Sequence, residues 1–323
     1  SSSGTSRNSG ACSNDAGYPN GQAMRLIVIC GATATGKSDL AVALAQQIKA
    51  EVINADSMQL YKGMDIGTAK LSLVERSGVA HHLIDVLDIK EEANVSWYQS
   101  LAREKIDELI GAGKKVVVVG GTGLYIKSIL DDLNFPDTDP VIRQQITDEA
   151  EKVGNDVMHQ KLAKLDPAAA LAIPKENIRR IIRALEVIEL TGKPFTANLP
   201  RQESSKYPSA KQFGLVLDRE NLDEKIDKRV EQMWAKGFAR EVLQLMNQGL
   251  AQATTAKMAL GYSQIMSYLN GECDEEFAKA ETKRVTRAYA RRQETWFSRD
   301  ERINWLAPAT KQVQLEKVLA SIN

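Results

Sequence analysis

The chain of 323 residues has few cysteines, no excess of either charge and no long apolar run. Its three cysteines are odd in number and lack the spacing of metal ligands, which argues against a disulfide-stapled or zinc-binding domain. No run of about 18 apolar residues occurs, so no transmembrane helix is expected. We therefore expect a cytoplasmic protein with reduced thiols.

The charge balance argues against an unspecialised polyanion binder, and the N-terminal composition argues against a signal peptide. Lys plus Arg equals Asp plus Glu at 42 each, which argues against an unspecialised polyanion binder but leaves room for a local basic groove. Residues 1–23 are rich in Ser, Gly and Asn and lack the apolar core of a signal peptide. We predict that they are a disordered leader or a cloning remnant.

Apolar segments of strand length alternate with helical patterns from residue 24 onward. Strands are predicted at 26–30, 51–56, 114–125 and 212–218, and helices at 39–50, 97–112, 177–192 and through most of 221–300. Fully apolar strands between helices indicate a parallel sheet that is covered on both faces. The predicted fold class is therefore α/β, with helices flanking the sheet.

A turn-rich segment with two prolines, residues 131–140, interrupts this alternation. Residues 141–173 then have helical character throughout, with two helices separated near Gly154. Either Glu176 or Asn177 is suited to cap the helix that follows. We predict a catalytic core of residues 24–131 and 177–323 with a small all-helical insert at 132–176.

The sequence GATATGKS at residues 31–38 has the spacing of a phosphate-binding loop, with a predicted strand before it and a helix after it. Gly31 and Gly36 allow the backbone to curl so that several N–H groups point inward. Lys37 adds a positive charge, and Ser38 offers a hydroxyl to phosphate or Mg²⁺. The N-terminus of the following helix favours an anion further.

A nucleotide hydrolase usually has a second strand that ends in an aspartate, which helps to hold Mg²⁺. Here the strand at 116–119 runs instead into Gly120, Gly121, Thr122 and Gly123, whose glycines suit either close approach of a substrate or a tight turn. Asp56, at the end of another predicted strand, is an alternative metal ligand. The lack of the usual aspartate favours transfer of a group other than phosphate.

Eight motifs follow one another along the chain. They are GATATGKS (31–38), ADSMQLYKGMDIGTAK (55–70), HHLID (81–85), VVGGTGLY (118–125), RRIIRALEV (179–187), KIDKRVEQMWAKGFAREV (225–242), LGYSQIMSYL (260–269) and TRAYARRQETWF (286–297). From about residue 24 to about residue 306 the chain resembles the bacterial tRNA dimethylallyltransferases, also called tRNA isopentenyltransferases. The phosphate loop alone is weakly specific for this family, whereas DSMQLYKGMDIGTAK and GGTGLY are highly specific.

The resemblance implies a P-loop NTPase-like sheet and a prenyl-transfer reaction. A dimethylallyl group would pass from dimethylallyl diphosphate to N6 of the adenosine on the 3′ side of the tRNA anticodon, position 37, with release of diphosphate. The expected partners are dimethylallyl diphosphate and the anticodon stem-loop, the expected cofactor is Mg²⁺ at Ser38, and we expect a monomer without a membrane partner. The phosphate loop would hold diphosphate rather than ATP, through Gly31, Ala32, Thr33, Ala34, Thr35, Gly36, Lys37 and Ser38.

The resemblance also implies a set of site residues. Asp56 would orient the acceptor amine and take its proton, Thr122 would hydrogen-bond near the bridging oxygen, and Arg229 would reach the diphosphate. From its position alone, Asp56 could instead cap a helix or join a salt bridge. Residues expected to contact tRNA are Asp56, Ser57, Met58, Gln59, Thr122, Arg143, Arg179, Arg180, Arg183, Gly261 and Tyr262. Two positions depart from the family pattern: Lys225 keeps a charge but loses the planar fork of arginine, and Ser263 replaces a basic residue.

Several charged positions allow more than one interpretation. The second basic cluster, at three- and four-residue steps, suits RNA phosphates or, equally, a solvated helix face balanced by acids. It consists of Lys283, Arg284, Arg287, Arg291 and Arg292. His81 and His82 are adjacent and point to different sides, so we predict packing or hydrogen bonding rather than metal binding. The helical insert is expected to close over RNA by hinging at 131–140 and 174–177.

Three rival functions stay open on the sequence. A P-loop small-molecule kinase would transfer phosphate from ATP, but the strand-end aspartate is missing. A non-catalytic RNA-binding module would have no use for an intact Lys37 and Ser38 together with Asp56. An isopentenyltransferase that acts on free adenine nucleotides would need neither the arginine clusters nor the helical insert.

Overall fold

A parallel sheet lies at the centre of the molecule. The computed structural model describes residues 25–133, 135–195 and 205–323, so the predicted leader lies outside the described residues. Six strands form one parallel sheet in the order β3-β2-β4-β1-β5-β6. They are β1 Leu26–Gly31, β2 Ala50–Asn54, β3 His81–His82, β4 Lys115–Gly120, β5 Lys211–Leu215 and β6 Ile303–Leu306. The predicted α/β fold class is confirmed.

Helices fill most of the remaining described chain. They are α1 Lys37–Ile48, α2 Val95–Gly111, α3 Gly123–Leu130, α4 Pro140–Leu165, α5 Pro167–Ala172, α6 Ile178–Thr191, α7 Arg219–Ala235, α8 Phe238–Asn247, α9 Tyr262–Leu269, α10 Glu275–Phe297 and α11 Lys311–Ile322. Several begin at side chains that cap the first turn, such as Asn94 before α2 and Asp274 before α10. Within the described residues, no helix is both long and apolar enough to cross a membrane.

Alternation along the strands produces two apolar layers. On β1, Leu26, Val28 and Cys30 belong to the core beneath α2, α3, α8 and α9, whereas Ile27 and Ile29 face α1 and α11. This period of two is the geometry of a strand with both faces buried. The sheet is therefore rigid at its centre, and the loops at its carboxyl edge are held by both layers.

The three helices α4, α5 and α6 form a separate packed group, here called the helical unit (residues 140–191). Gly154 breaks α4 with φ 81° and ψ 169°, as the predicted separation of two helices requires, and Asn177 caps α6 through its side chain. The predicted insert ended at residue 176, but Ile181 and Leu185 of α6 share one apolar core with Met158 of α4. We include α6 in the helical unit because its apolar face is covered by α4 and α5, and the domain boundary at residue 176 stays a prediction.

Four elements were not predicted from the sequence: α3, β3, β6 and α11. The strand predicted at 114–125 ends at Gly120, and residues 123–125 begin α3 instead. β3 has only two residues, and both are half-buried, so it carries no apolar pattern. β6 alternates buried Ile303 and Leu306 with two exposed residues between them, and it joins the sheet at the edge beside β5. Leu315 and Val318 of α11 pack on the same face of the sheet as α1.

Candidate active site

Three groups of predicted site residues meet at the carboxyl edge of the sheet. The phosphate loop follows β1, Asp56 lies two residues after β2, and Thr122 lies two residues after β4. These three strands are neighbours in the sheet, and ligands of open α/β folds bind at this edge. A cavity of about 420 Å³ opens there between the loop, residues 56–71 and the helices α7 and α10.

The phosphate loop has the curled backbone that its glycines predicted. Gly36 has φ 93° and immediately precedes α1, so the N-terminus of that helix faces the cavity. Thr33, Ala34, Gly36, Lys37 and Ser38 line the cavity, whereas Gly31, Ala32 and Thr35 lie behind them. The Lys37 ammonium donates a hydrogen bond to the Ala32 carbonyl oxygen at 2.6 Å.

Two cations converge on this loop. Burial, assisted by the nearby charge of Arg229, lowers the pKa of Lys37 to about 8. Burial also lowers the pKa of Arg229, whose Nη1 donates to the Thr33 hydroxyl at 3.3 Å. Two desolvated positive charges, Lys37 on the loop and Arg229 reaching it from α7, create a strong preference for an anion. The structure thus brings Lys37 and Arg229 together as the prediction required.

Asp56 faces the cavity from the opposite wall. Its Oδ1 accepts a hydrogen bond from the Met58 N–H at 3.0 Å, and its own N–H donates to Asn54 Oδ1 at 3.0 Å. The residue is half-buried by surface area, but its carboxylate faces the enclosed cavity, and this burial raises its pKa despite the attraction of Lys37. A carboxylate with a raised pKa is a better proton acceptor than an exposed one.

Thr122 lies beside the cavity and is tied to the Asp56 segment. Its hydroxyl oxygen accepts a hydrogen bond from the Ser57 N–H at 3.1 Å, and its own N–H donates to the Ala55 carbonyl at 3.1 Å. The neighbouring glycines pack closely against other parts of the protein: a Cβ on Gly121 would stand 2.3 Å from Gln293 Nε2, and one on Gly123 would stand 2.0 Å from Trp296. Gly120 and Gly121 also line the cavity, so this turn combines close packing with a surface that a substrate can approach.

The segment after Asp56 forms one wall of the cavity. Ser57, Met58 and Gln59 all line it, as predicted for a nucleobase-binding segment. The Gln59 amide donates from Nε2 to the Thr68 carbonyl at 3.0 Å, which fixes the side chain against the loop at residues 65–70. The backbone N–H groups of residues 65–67 are in turn held by the buried carboxylate of Glu241.

Five cavity residues on α10 were not predicted as site residues: Thr282, Thr286, Tyr289, Arg292 and Gln293. Tyr289 and Gln293 line the cavity four residues apart, and Arg292 lies between them with its guanidinium 5.7 Å from the Tyr289 ring centroid. Burial and the charge of Asp56 raise the pKa of Tyr289 to about 12, so its hydroxyl stays protonated. The four-residue spacing within TRAYARRQETWF was the signal available in the sequence, because it places both side chains on one face of a helix.

The arginines of the helical unit fall into two kinds. Arg143 and Arg183 both donate to the fully buried carboxylate of Glu186, at 2.8 Å and 2.9 Å, and Arg183 also holds the Pro136 carbonyl at 2.8 Å. Arg179 and Arg180 are exposed and, within the described chain, join no salt bridge. Arg143 and Arg183 therefore have a structural role beside any contact with tRNA.

Tyr262 lies in the core. It is fully buried, its hydroxyl donates to Glu241 Oε1 at 2.5 Å, and its ring packs edge-on against Phe238 at 4.9 Å. The Tyr262 hydroxyl thus already binds a buried carboxylate, and the expected tRNA contact at this position stays a prediction. Gly261 is the residue before α9, its N–H donates to Gln264 Oε1 at 2.8 Å, and the Tyr262 N–H donates to the Ala259 carbonyl at 3.2 Å.

The second basic cluster is largely neutralised. The ion pairs are Lys283–Glu231, Arg284–Glu281, Arg287–Asp227 and Arg291–Asp223. Acids of α7 and α10 thus balance four of the five cations. This arrangement favours the second interpretation, a helix face whose cations are balanced by acids, over binding of RNA phosphates. Arg292 joins no ion pair among the described residues and instead lines the cavity.

The two histidines behave as predicted. His81 bonds through Nδ1 to the Val79 carbonyl at 2.9 Å, and His82 bonds through Nε2 to Glu51 at 2.9 Å. Across the described ranges, no group of three or more His, Cys, Asp or Glu residues could hold a metal ion. A Mg²⁺ at the phosphate loop would have Ser38 as its protein ligand, which fits the preference of Mg²⁺ for few protein ligands beside phosphate oxygens and water.

Comparison with known proteins decides the family. A family model described as IPP transferase matches residues 59–300. The tRNA dimethylallyltransferase of Streptomyces griseus is 53% identical over 288 residues, which cover 89% of this chain and 92% of that protein. The chain belongs to the tRNA dimethylallyltransferase family. The family that the sequence motifs predicted is thereby confirmed.

Solved structures of tRNA dimethylallyltransferases share the fold. The full-length tRNA isopentenylpyrophosphate transferase of Bacillus halodurans is 36% identical with a TM-score of 0.67, covering 93% of this chain and 96% of that one. A eukaryotic dimethylallyltransferase acting on tRNA is 29% identical with a TM-score of 0.74, covering 87% of this chain and 73% of that one. Membership of the tRNA dimethylallyltransferase family counts against the kinase and the non-catalytic RNA-binding module.

Proposed function

We propose that the protein transfers a dimethylallyl group from dimethylallyl diphosphate to N6 of the adenosine at position 37 of tRNA, beside the anticodon, and releases diphosphate. The observation that carries this proposal is a single cavity with the phosphate loop, Lys37 and Arg229 on one side and Asp56 on the other. The diphosphate leaving group needs positive charge beside it, and the acceptor amine needs a carboxylate. Both must lie within reach of the allylic carbon at which the bond is exchanged. The reaction belongs in the cytoplasm, where its tRNA substrate is available, and we propose that a monomer carries it out.

Charge on the leaving diphosphate is stabilised by the phosphate loop. As the bond between the allylic carbon and the bridging oxygen breaks, its electron pair stays on the diphosphate. Lys37, Arg229 and the N-terminus of α1 then face that growing negative charge from within a partly desolvated site. Thr122 is proposed to donate its hydroxyl proton toward the bridging oxygen, while its oxygen still accepts from Ser57.

Asp56 is proposed to accept a proton from the acceptor amine. The N6 lone pair forms the new carbon–nitrogen bond, and the nitrogen then loses a proton to the Asp56 carboxylate. Because burial raises the pKa of this carboxyl, it is well matched to accept a proton from a weakly basic amine. The Gln59 amide and the Met58 side chain line the same wall and would hold the adenine.

The proposed cofactor is Mg²⁺, held by the Ser38 hydroxyl. When bound, the ion would neutralise part of the charge on the diphosphate. Ser38 lines the cavity at the start of α1, beside Lys37.

The helical unit is proposed to bind the anticodon stem-loop through Arg179 and Arg180. Both guanidinium groups are exposed on the first turn of α6, on the surface of the helical unit. Exposed arginines contribute sequence-independent attraction to phosphates. Binding of the stem-loop must be joined by extrusion of the target base into the cavity, since the cavity is too small for a paired helix.

The proposal is tested by supplying competing donors and acceptors. Purified protein with unmodified tRNA and labelled dimethylallyl diphosphate should label the adenosine beside the anticodon and release a diphosphate for each transfer. ATP labelled at its terminal phosphate should leave no phosphate on tRNA or protein, and free AMP should be a much poorer acceptor than tRNA. Phosphate transfer from ATP would establish the kinase instead, and equal prenylation of AMP would establish an enzyme of free nucleotides.

A further inference from the structure

One face of α10 lies against both loops of the site. Tyr289, Gln293 and Trp296 follow at steps of four and three residues, so they share a helix face. Gln293 contacts Gly121, and the Trp296 indole packs against Gly123. This face of α10 therefore contacts the turn that carries Thr122 on both sides of that residue.

Gln293 is the member of this face that also holds the phosphate loop. Its Oε1 accepts a hydrogen bond from the Thr33 N–H at 2.8 Å, and its Nε2 donates to the Gly121 carbonyl at 2.9 Å. The side chain is only 6% exposed, so both bonds are shielded from water. One amide group thus connects the diphosphate cradle with the residue directly before Thr122.

The contact with Thr33 also fixes the direction of one peptide group. The N–H of Thr33 and the carbonyl of Ala32 belong to the same peptide, and in a trans peptide these two groups point in opposite directions. With the N–H held by Gln293, the carbonyl points toward Lys37 and Thr35, which donate to it at 2.6 Å and 2.7 Å. The orientation of Lys37 therefore depends on the amide of Gln293.

We propose that Gln293 is a positioning residue for the transfer reaction, because it sets the distance between the diphosphate cradle and the Thr122–Asp56 wall. The inference rests on the proposed function. A carboxamide suits this position, since it offers an acceptor to Thr33 and a donor to Gly121 from the end of one side chain. Glutamate would keep the acceptor but place a second acceptor opposite the Gly121 carbonyl.

Steady-state kinetics of Gln293→Met and Gln293→Glu test the proposal. Methionine has nearly the same length and volume but makes neither hydrogen bond, so loop alignment is lost without a cavity. We expect kcat for transfer to fall about 10- to 100-fold in both variants, as loss of alignment implies, while KM for tRNA stays within about twofold. Gln314→Met is the matched control, because Gln314 is also buried and donates to a backbone carbonyl, but on α11 away from the cavity.

A double-mutant cycle separates positioning from a merely structural role. If Gln293 acts through the Thr122 turn, Gln293→Met in a Thr122→Ala background should cost less than about threefold, because the aligned hydroxyl is already gone. Two results would overturn the proposal. One is a kcat of the double variant that falls by the product of the two single-variant losses, and the other is a kcat of Gln293→Met within twofold of the parent. If the parent enzyme itself fails to prenylate tRNA, it is the proposed function that fails. Should Gln293→Met not fold, Gln293→Glu carries the same comparison.

Discussion

The cavity in the sheet core and the helical unit use charge in opposite ways. In the cavity, Lys37, Arg229 and Asp56 are partly desolvated, and burial shifts the pKa of each away from its ordinary value. In the helical unit, Arg179 and Arg180 are exposed, and Arg143 is satisfied by Glu186. Buried charges are suited to act on the reacting groups. Exposed arginines are suited to attract phosphates, and arginines paired with a carboxylate are suited to stabilise the fold.

This difference assigns separate tasks to the two regions. A desolvated cation binds a small anion strongly and discriminates the transition state from the ground state. An exposed arginine is screened by salt and adds affinity for a polyanion without acting on the chemistry. Variants in the cavity should therefore change the rate of transfer, and variants in the helical unit should change the binding of tRNA.

The largest expected effect is at Asp56. Asp56→Ala should lower kcat by about 100- to 10,000-fold, the range for a lost general base, and Thr122→Ala should also lower kcat but leave measurable transfer. Affinity for tRNA, measured by filter binding, should stay largely intact. Asp88→Ala is the control, because Asp88 is an exposed acid that pairs with Lys62 at the surface. Full turnover in both site variants would exclude the assigned chemistry.

The intermediate effect is the dependence of kcat/KM for dimethylallyl diphosphate on pH. Lys37 binds the anion in its protonated form, so kcat/KM should fall about tenfold per pH unit above its pKa of about 8. On the acid side, Asp56 works ionised, so activity should be lost as pH falls through its raised pKa.

Lys37→Arg sharpens this test. Arginine stays protonated throughout the range, so the alkaline decline should disappear even if the variant is slower. An unchanged decline in Lys37→Arg would show that another group titrates there.

The smallest expected effect lies in the helical unit. Arg179→Gln and Arg180→Gln should each raise KM for tRNA a few-fold and reduce the slope of log affinity against log salt by about one, with kcat unchanged. Arg284→Gln is matched in charge and exposure but is paired with Glu281, so it should change neither quantity. Equal effects of all three variants would remove the distinction between the two arginine-bearing helices.

Much of the fold and part of the site could be predicted from the sequence. The strands β1, β2, β4 and β5, the break at Gly154 and the cap at Asn177 follow from local patterns. The phosphate loop and Asp56 were predicted because each follows directly from a strand end and its motif. That α6 packs on α4 could not be predicted, because α6 has the same amphipathic pattern whether it packs on the sheet or on α4.

The side-chain partners could not be predicted. Lys283 and Arg287 have the spacing of an RNA-binding face, but their acids lie on α7, more than fifty residues away in sequence. Tyr262 lies in a family motif, yet its hydroxyl lies in the core because Glu241 is there to accept its hydrogen bond. Spacing within a helix shows which side chains share a face and does not show what that face meets.

By itself the sequence determined the family, through the resemblance of its motifs. It also determined the parallel sheet and the anion-binding loop, because apolar periodicity and glycine placement act over a few residues. Only the tertiary structure decided which cations are free and which are neutralised, and that one amide of α10 holds both loops of the site. The Gln293 contacts span 260 and 172 residues of sequence, so they exist only once the sheet has brought its carboxyl edge together. Electrostatics and hydrogen bonding depend on distance in space, which local sequence patterns do not encode.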